Sequence, residues 1–409
     1  MTMNSKIESI TLEMTLVLCL ISGCGSAQQS QVQSPPPNPT VATAAPATDS
    51  ATLPKVESDA GWPMFRGNSE STGVAKSTLP EKLEVLWEFT VKKGAFSTTA
   101  AIVDDGNSKL AVIGDLDGTV YALDLATGKP KWEFKTAMGF IASVGAKNGK
   151  YYLGDIDGNF FCIDGEGKQV WKFTAQASID ASANFFEDKV LFTSQDSNFY
   201  CLRADNGELV WQVAAGDQLR STPTIANDRA FVAGCDGLLH VIDLKNGTEV
   251  GSVEIQSPTG CTPAVLGNAI FFGTEQSGFY AIDWRQSKLM WQFNNERESI
   301  SVRGNAAVLD GHIIFGSSNR QVQSLRPATG EVNWTTTLKA NIESSPVIVG
   351  ERLFIGGNDG RLIEMRWKDG SIIAEHEVFR GGFSGSPAVG FGRLVIATDR
   401  GVVYCLGGR

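Results

Sequence analysis

The chain has 409 residues, 42% hydrophobic and 20% charged, with a formal net charge of −10. That is too apolar for wholesale disorder, and it lacks the Lys/Arg excess that neutralising phosphates requires, so nucleic-acid binding is set aside. Three widely separated histidines, His240, His312 and His376, leave no metal cluster or histidine-based catalytic pair, and nothing carries the nucleophile–base spacing of a hydrolase.

In chain order, the first feature is the apolar run 14–21, eight residues long. It is too short to span a bilayer and fits the apolar region of a signal peptide. Ile21-Ser22-Gly23-Cys24 follows and resembles the lipobox of bacterial lipoproteins. That resemblance implies cleavage before Cys24 and a lipid on its thiol. Gly25 stands where an inner-membrane retention signal would place Asp, which implies an outer-membrane, periplasm-facing anchor. Secretion without lipid is the alternative. The segment 24–60, with Pro35, Pro36 and Pro37 among Ser, Gln, Ala and Thr, has little to bury and reads as a flexible tether. We therefore divide the chain into a signal peptide (1–23), a lipidated Cys with tether (24–60) and one folded body (61–409).

The folded body is a repeat. A unit running from Ala122 through Gly128 to Trp132 returns with equivalents of the last position at 171, 211, 251, 291, 334 and 374. Each period holds four short β-type runs. In the third they are Ile179–Phe185, Lys189–Thr193, Asn198–Leu202 and Leu209–Val213, separated by Asp, Asn and Gly turn signals. Four strands in about 40 residues is a propeller blade. The chain ends on three strands, Phe383–Val389, Arg393–Thr398 and Val402–Leu406, and the body opens on an orphan strand at Val85–Thr90. Sharing the eighth blade between the two ends removes two unpaired sheet edges. The predicted fold is all-β: an eight-bladed propeller of four-stranded antiparallel blades, closed by an N-terminal strand.

Trp87, Trp132, Trp171, Trp211, Trp291 and Trp334 share one repeat position and are expected to dock each blade onto the next. Gly251 and Ala374 interrupt the series, where local repacking or looser contacts are expected. Cys162, Cys201 and Cys405 fill a position held elsewhere by Ala122 and Ala281, and read as small buried hydrophobes. Cys235 and Cys261 are the pair that could meet across neighbouring repeats, a question the sequence leaves open.

The repeat resembles that of the PQQ-like, quinoprotein-type propellers over about residues 62–409, and Trp62-Pro63-Met64-Phe65-Arg66-Gly67 resembles a lead-in common among them. Within that group the plan of lipobox, tether and eight blades is similar to the BamB family. The resemblance implies a non-enzymatic lipoprotein scaffold in outer-membrane β-barrel assembly, binding the POTRA domains of the barrel subunit. The alternatives are a binding propeller with another partner and a PQQ-dependent dehydrogenase. The adjacent Cys-Cys pair of the quinoprotein enzymes is absent, as is a C-x-x-C-H haem motif, so no cofactor is expected.

Two places could carry a site. Asp115-Leu116-Asp117-Gly118, Asp155-Ile156-Asp157-Gly158 and Asn358-Asp359-Gly360 have carboxylates at calcium-like spacing, but Asp-Gly is also hairpin chemistry, and we read them as turns. The starts of the innermost strands place Asp180, Arg220, Gly260, Arg303, Glu343 and Ser384 at one equivalent position, ringing one mouth of the central channel. Leu219-Arg220 resembles the partner-contacting Leu-Arg stretch of the BamB family, though Asp217-Gln218 stands where the family has a further Leu. Val302-Arg303 is a second candidate. Leu219, Arg220 and Arg303 are thus the expected partner-binding residues.

Overall fold

A computed structural model describes Lys55, Glu57 and residues 60–409 apart from 277, 295–300, 310 and 378. The expected signal peptide, Cys24 and most of the expected tether lie outside the described residues. Eight antiparallel sheets succeed one another along the chain, and these are the predicted blades. Seven span residues 101–135, 145–174, 184–214, 224–254, 264–293, 307–337 and 347–376, here numbered blades 1 to 7. Blade 8 combines Ala388–Gly390, Arg393–Ala397 and Val402–Gly407 with Glu84–Thr90. Glu84–Thr90 pairs antiparallel with Val402–Gly407, so the two ends of the body close the ring as the orphan strand predicted.

Each blade is built by alternation. In blade 3, Lys189–Thr193 and Asn198–Arg203 are the central strands, buried on both faces, while the outer strand Leu209–Ala214 alternates exposed and half-buried positions. The inner strand is shorter than predicted, pairing only over Asn184–Phe186. Residues 179–183 run beside the channel and send their backbone donors elsewhere.

Those donors form a belt. The N–H of Thr99 donates to Ser143 Oγ (2.9 Å), Ser143 to Ser182 (2.9 Å), Ser182 to Thr222 (3.0 Å) and Thr222 to Thr262 (3.1 Å). The N–H of Thr262 then donates to Asn305 Oδ1, Asn305 to Ser345 (2.9 Å), Ser345 to Ser386 (2.9 Å), and Ser386 back to Thr99 (3.1 Å). Eight blades are thereby linked in a closed circle of side-chain acceptors, all of them buried. Buried backbone donors must be satisfied, and here each blade supplies the acceptor its neighbour lacks.

Farther out, the tryptophans join the blades. All eight outer strands carry a register break just before the repeat position, at residues 86, 131, 170, 210, 250, 290, 333 and 373. A bulge re-aims the next side chain. The six rings lie on a glycine of the following blade: Trp87 on Gly128, Trp132 on Gly167, Trp171 on Gly207, Trp211 on Gly247, Trp291 on Gly330 and Trp334 on Gly370. A Cβ at these glycines would sit 2.4–2.8 Å from ring carbons, which is why the unit pairs Gly with Trp. Four indole N–H groups donate across the junction, Trp87 to the carbonyl of Leu125 (2.9 Å), Trp171 to Ala204 (3.2 Å), Trp291 to Pro327 (2.8 Å) and Trp334 to Trp367 (3.0 Å).

The two junctions without a ring are repacked, not loose. Opposite Gly251 the docking glycine is replaced by Ser287, whose Oγ would lie 2.3 Å from a Cβ at 251. At Ala374 the receiving turn does not exist, because the last two strands of blade 8 come from opposite ends of the body. Glu364 takes up that space, 3% exposed, between Arg352 Nη1 (3.0 Å) and His376 Nε2 (3.2 Å). Burial works against its charge, but hydrogen bonds from His376 and Arg352 hold the carboxyl below its ordinary range. Arg352 Nη2 also donates to the carbonyls of Leu79 and Pro80 (2.9 Å each), tying down the lead-in to the closing strand.

Candidate partner-binding face

The inner segments run from the mouth bearing Arg220 to the opposite mouth, and the opposite mouth is occupied. Residues 60–75 form a strap bonded to the inner edge of every blade. Trp62 pairs with Ile102, Ala146 N–H donates to the Pro63 carbonyl (2.7 Å), and Asn184 Nδ2 and Ile225 N–H both donate to Ser69 O (3.0 and 2.8 Å). Val265 donates to Glu70 O (2.9 Å), Val308 to Thr72 O (2.9 Å), Ile348 to Gly73 O (2.9 Å) and Phe391 to Ala60 O (3.0 Å). Val74–Ala75 then adds a parallel strand to blade 7. Arg66, 1% exposed, bolts the strap by donating from Nη2 to the carbonyls of Ala306 (2.9 Å) and Pro346 (2.8 Å). Burial lowers its pKa to about 9. Gly73, at φ 68°, is required because a Cβ there would meet the guanidinium at 1.8 Å. This is the structural role of the Trp62–Gly67 lead-in.

The other mouth carries the predicted ring. Arg220 Nε donates to Asp180 Oδ2 at 3.1 Å, and Asp180 also accepts from Ser178 Oγ and Gln195 Nε2, each at 2.5 Å. Arg303 faces Glu343 at 3.9 Å, with side chains 46% and 38% exposed. The mouth thus splits into a tight, largely buried pair at blades 3 and 4 and a loose, accessible pair at blades 6 and 7. Leu219 corrects the sequence reading. Its side chain is 1% exposed and packed in the core of blades 3 and 4, so it seats the segment and presents nothing to a partner. Arg220, at 18%, is partly available, and Arg303 is the accessible member.

The Asp turns open on this same face and behave as turns. Asp115 Oδ1 accepts from the N–H groups of Asp117 (3.0 Å) and Thr119 (2.7 Å), and its Oδ2 from Tyr121 (3.1 Å). Asp155 accepts from Asp157 and Asn159 in the same way. Among the described residues no group of three or more metal-ligating side chains converges. Cys162, Cys201, Cys261 and Cys405 are free and buried. Burial pushes their thiols up to about 11 for Cys162 and about 12 for the other three. Cys261 therefore does not pair with Cys235; its Sγ donates to the Val302 carbonyl at 3.1 Å. The eight belt residues went unread in the sequence, although a Ser, Thr or Asn recurs two residues after each ring position.

A family profile described as outer membrane protein assembly factor BamB matches residues 80–177, 161–292 and 195–408. The BamB of Legionella pneumophila is 27% identical over 195 residues, 45% of this chain and 49% of that protein. That of Escherichia coli is 28% identical over 199 residues, 46% and 49% of the two chains. The chain spans about half the length of these two relatives. The match to the Burkholderia pseudomallei protein is longer and weaker, 24% over 341 residues, covering 79% and 87%. Among solved structures, BamB from Moraxella catarrhalis superposes with a TM-score of 0.67 at 19% identity, covering 80% of this chain and 98% of that one. A quinohemoprotein alcohol dehydrogenase from Comamonas testosteroni gives 0.70 at 12% identity, covering 86% and 81%. These two likenesses concern the fold alone. The family profile covers most of the body, and the chain belongs to the family of the outer membrane protein assembly factor BamB.

Proposed function

We propose that the protein is a non-enzymatic scaffold, lipid-anchored through Cys24 at the outer membrane and facing the periplasm, that binds POTRA domains of the barrel-assembly subunit. The observation that carries this reading is the asymmetry of the channel. One mouth is filled by the strap, and the other presents Arg220, Arg303 and the interblade turns on a rigid ring. Function concentrates on loops held by such scaffolds, and Arg is a favoured interface anchor. Family membership supports the assembly role.

The dehydrogenase alternative draws only on fold likeness. The residues do not fit a quinone held under a vicinal disulfide, because the four free thiols are buried in four different blades. The test is affinity purification of the tagged protein from detergent-solubilised envelopes, comparing wild type with Arg220→Glu/Arg303→Glu. Co-purification of a POTRA-containing subunit with wild type and its loss from the folded variant are expected. Equal recovery by both would remove the mouth from the interface. Leu219 is not a useful probe, since its substitution would open a core cavity.

A further inference from the structure

At three junctions the groove between blades is closed by an aromatic pair. The outer-strand residue two beyond the docking Trp meets an aromatic of the next blade: Phe89 with Tyr121, Phe134 with Phe161 and Phe173 with Tyr200, at centroid distances of 5.1, 5.3 and 5.3 Å. Between blades 6 and 7 the equivalent residues are Thr336 and Ile363. Thr336 turns its hydroxyl to the Gly370 carbonyl (2.7 Å). A pocket of about 250 Å³ lies between these two blades, with Leu338, Ile342, Ile363 and Ile372 as its apolar walls.

The polar end of this pocket is also altered. In blade 3 the ring hydroxyl of Tyr200 caps Asp196 (2.7 Å), the equivalent of Asp359, whereas in blade 1 Tyr121 caps Asp115 (3.1 Å), whose place in blade 7 is taken by Gly357. In blade 7 Ile363 cannot do so, and Asp359 lines the pocket with only Arg361 beside it (3.1 Å). Lys339 and Arg361 rim the opening, paired with Glu375 (2.8 Å) and Glu377 (3.1 Å). The cavity thus lies in a groove of the kind that three other junctions fill with a ring of their own. An apolar cavity of ~150 Å³ suffices for benzene.

We propose that this pocket receives a tyrosine side chain from an extended segment of a bound polypeptide, the ring against Leu338 and Ile342 and the hydroxyl donating to Asp359. It rests on the reading of the chain as a protein-binding scaffold and adds an anchor point close to the Arg303–Glu343 pair, since Ile342 adjoins Glu343. The probes are N-acetyl-tyrosine amide, N-acetyl-phenylalanine amide and N-acetyl-leucine amide, added to the full folded body carrying labelled isoleucine methyls. The tyrosine amide should shift the methyls of Ile342, Ile363 and Ile372 saturably, and bind at least about threefold tighter than the phenylalanine amide, a difference Asp359→Asn should erase. Ile363→Tyr reproduces the Tyr–Asp pair of blade 3 and should abolish binding without lowering Tm; Ala340→Phe, at a residue lining the pocket, serves if that variant fails to fold. Absence of saturable shifts, or undiminished shifts in a folded filled variant, overturns the proposal. Saturation of the pocket without capture of a POTRA subunit would sink the assembly reading alone, and capture without saturation would sink the pocket alone.

Discussion

The belt predicts that a single buried hydroxyl holds two blades together. Thr222 is 5% exposed, and its Oγ1 accepts from the N–H of Ser182 at 3.0 Å. Thr222→Val keeps the shape of the side chain, so no cavity opens, and the Thr222 backbone bond to Thr262 is untouched. What changes is one backbone donor of blade 3, left buried with no acceptor. Leaving such a group unpaired costs about 1–3 kcal/mol, more than the roughly 1 kcal/mol net worth of the bond itself. Urea unfolding followed by tryptophan fluorescence reads the total, and amide exchange at Ser182 reads the place. The control is Thr329→Val, whose hydroxyl is exposed and should shift stability by less than about 0.5 kcal/mol. If Thr222→Val behaves like that control and the Ser182 amide stays protected, the belt is a geometric coincidence with no energetic part in closure.

Two further tests address the blade junctions and the buried histidine. Gly207→Ala combines a positive φ of 77° with a Cβ 2.6 Å from the Trp171 ring, whereas Gly267→Ala has φ 60° and open space. The second should cost about 1–2 kcal/mol from the left-handed backbone alone. The first should exceed it measurably by urea melt, and equal losses would show that the ring yields freely. His240 is 6% exposed, with Nε2 at 2.8 Å from Asp236 and Nδ1 at 3.4 Å from Glu249. Burial opposes its charge, but the hydrogen bond and charge of Asp236, aided by Glu249, outweigh it and raise its pKa above the ordinary 6.5. A raised histidine contributes stability fully below 6.5 and loses it as pH rises through the folded value. Asp236 is held below its ordinary 3.8 by the same pair, so its contribution fades only as pH falls through that lowered value. Wild type should therefore lose stability on the alkaline side of 6.5 relative to His240→Gln, measured by urea unfolding across pH. Parallel pH profiles for the two proteins would refute the assignment.

Much of the architecture was legible in the chain because a propeller is built from local rules. Turn chemistry at Asp, Asn and Gly, alternation within short strands, and the recurring Gly and Trp each act within one period. Closure by Val85–Thr90 followed from counting strands. The failures share a cause. The inner segments were read as full strands because period-two patterning does not reveal where pairing stops, and within residues 179–183 Ile179 and Ser182 give their N–H groups to the neighbouring blades. Leu219 was read as a contact because resemblance transfers residue types and not burial. At Ala374 the sequence left repacking and loosening open, and Glu364, Arg352 and the Leu79–Pro80 carbonyls repack the junction across more than 270 residues of chain.

By itself, then, the sequence determined the number of blades, the position of the docking rings and the family, because these depend on residue spacing within a repeat. Only the tertiary structure decided which channel mouth is open, which arginine is accessible and which interblade groove keeps an open pocket. Each of those depends on what a distant segment places against the repeat: the strap at residues 60–75, the core around Leu219, or the smaller residues meeting at Thr336 and Ile363. Burial is a property of neighbours in space, and no single period carries it.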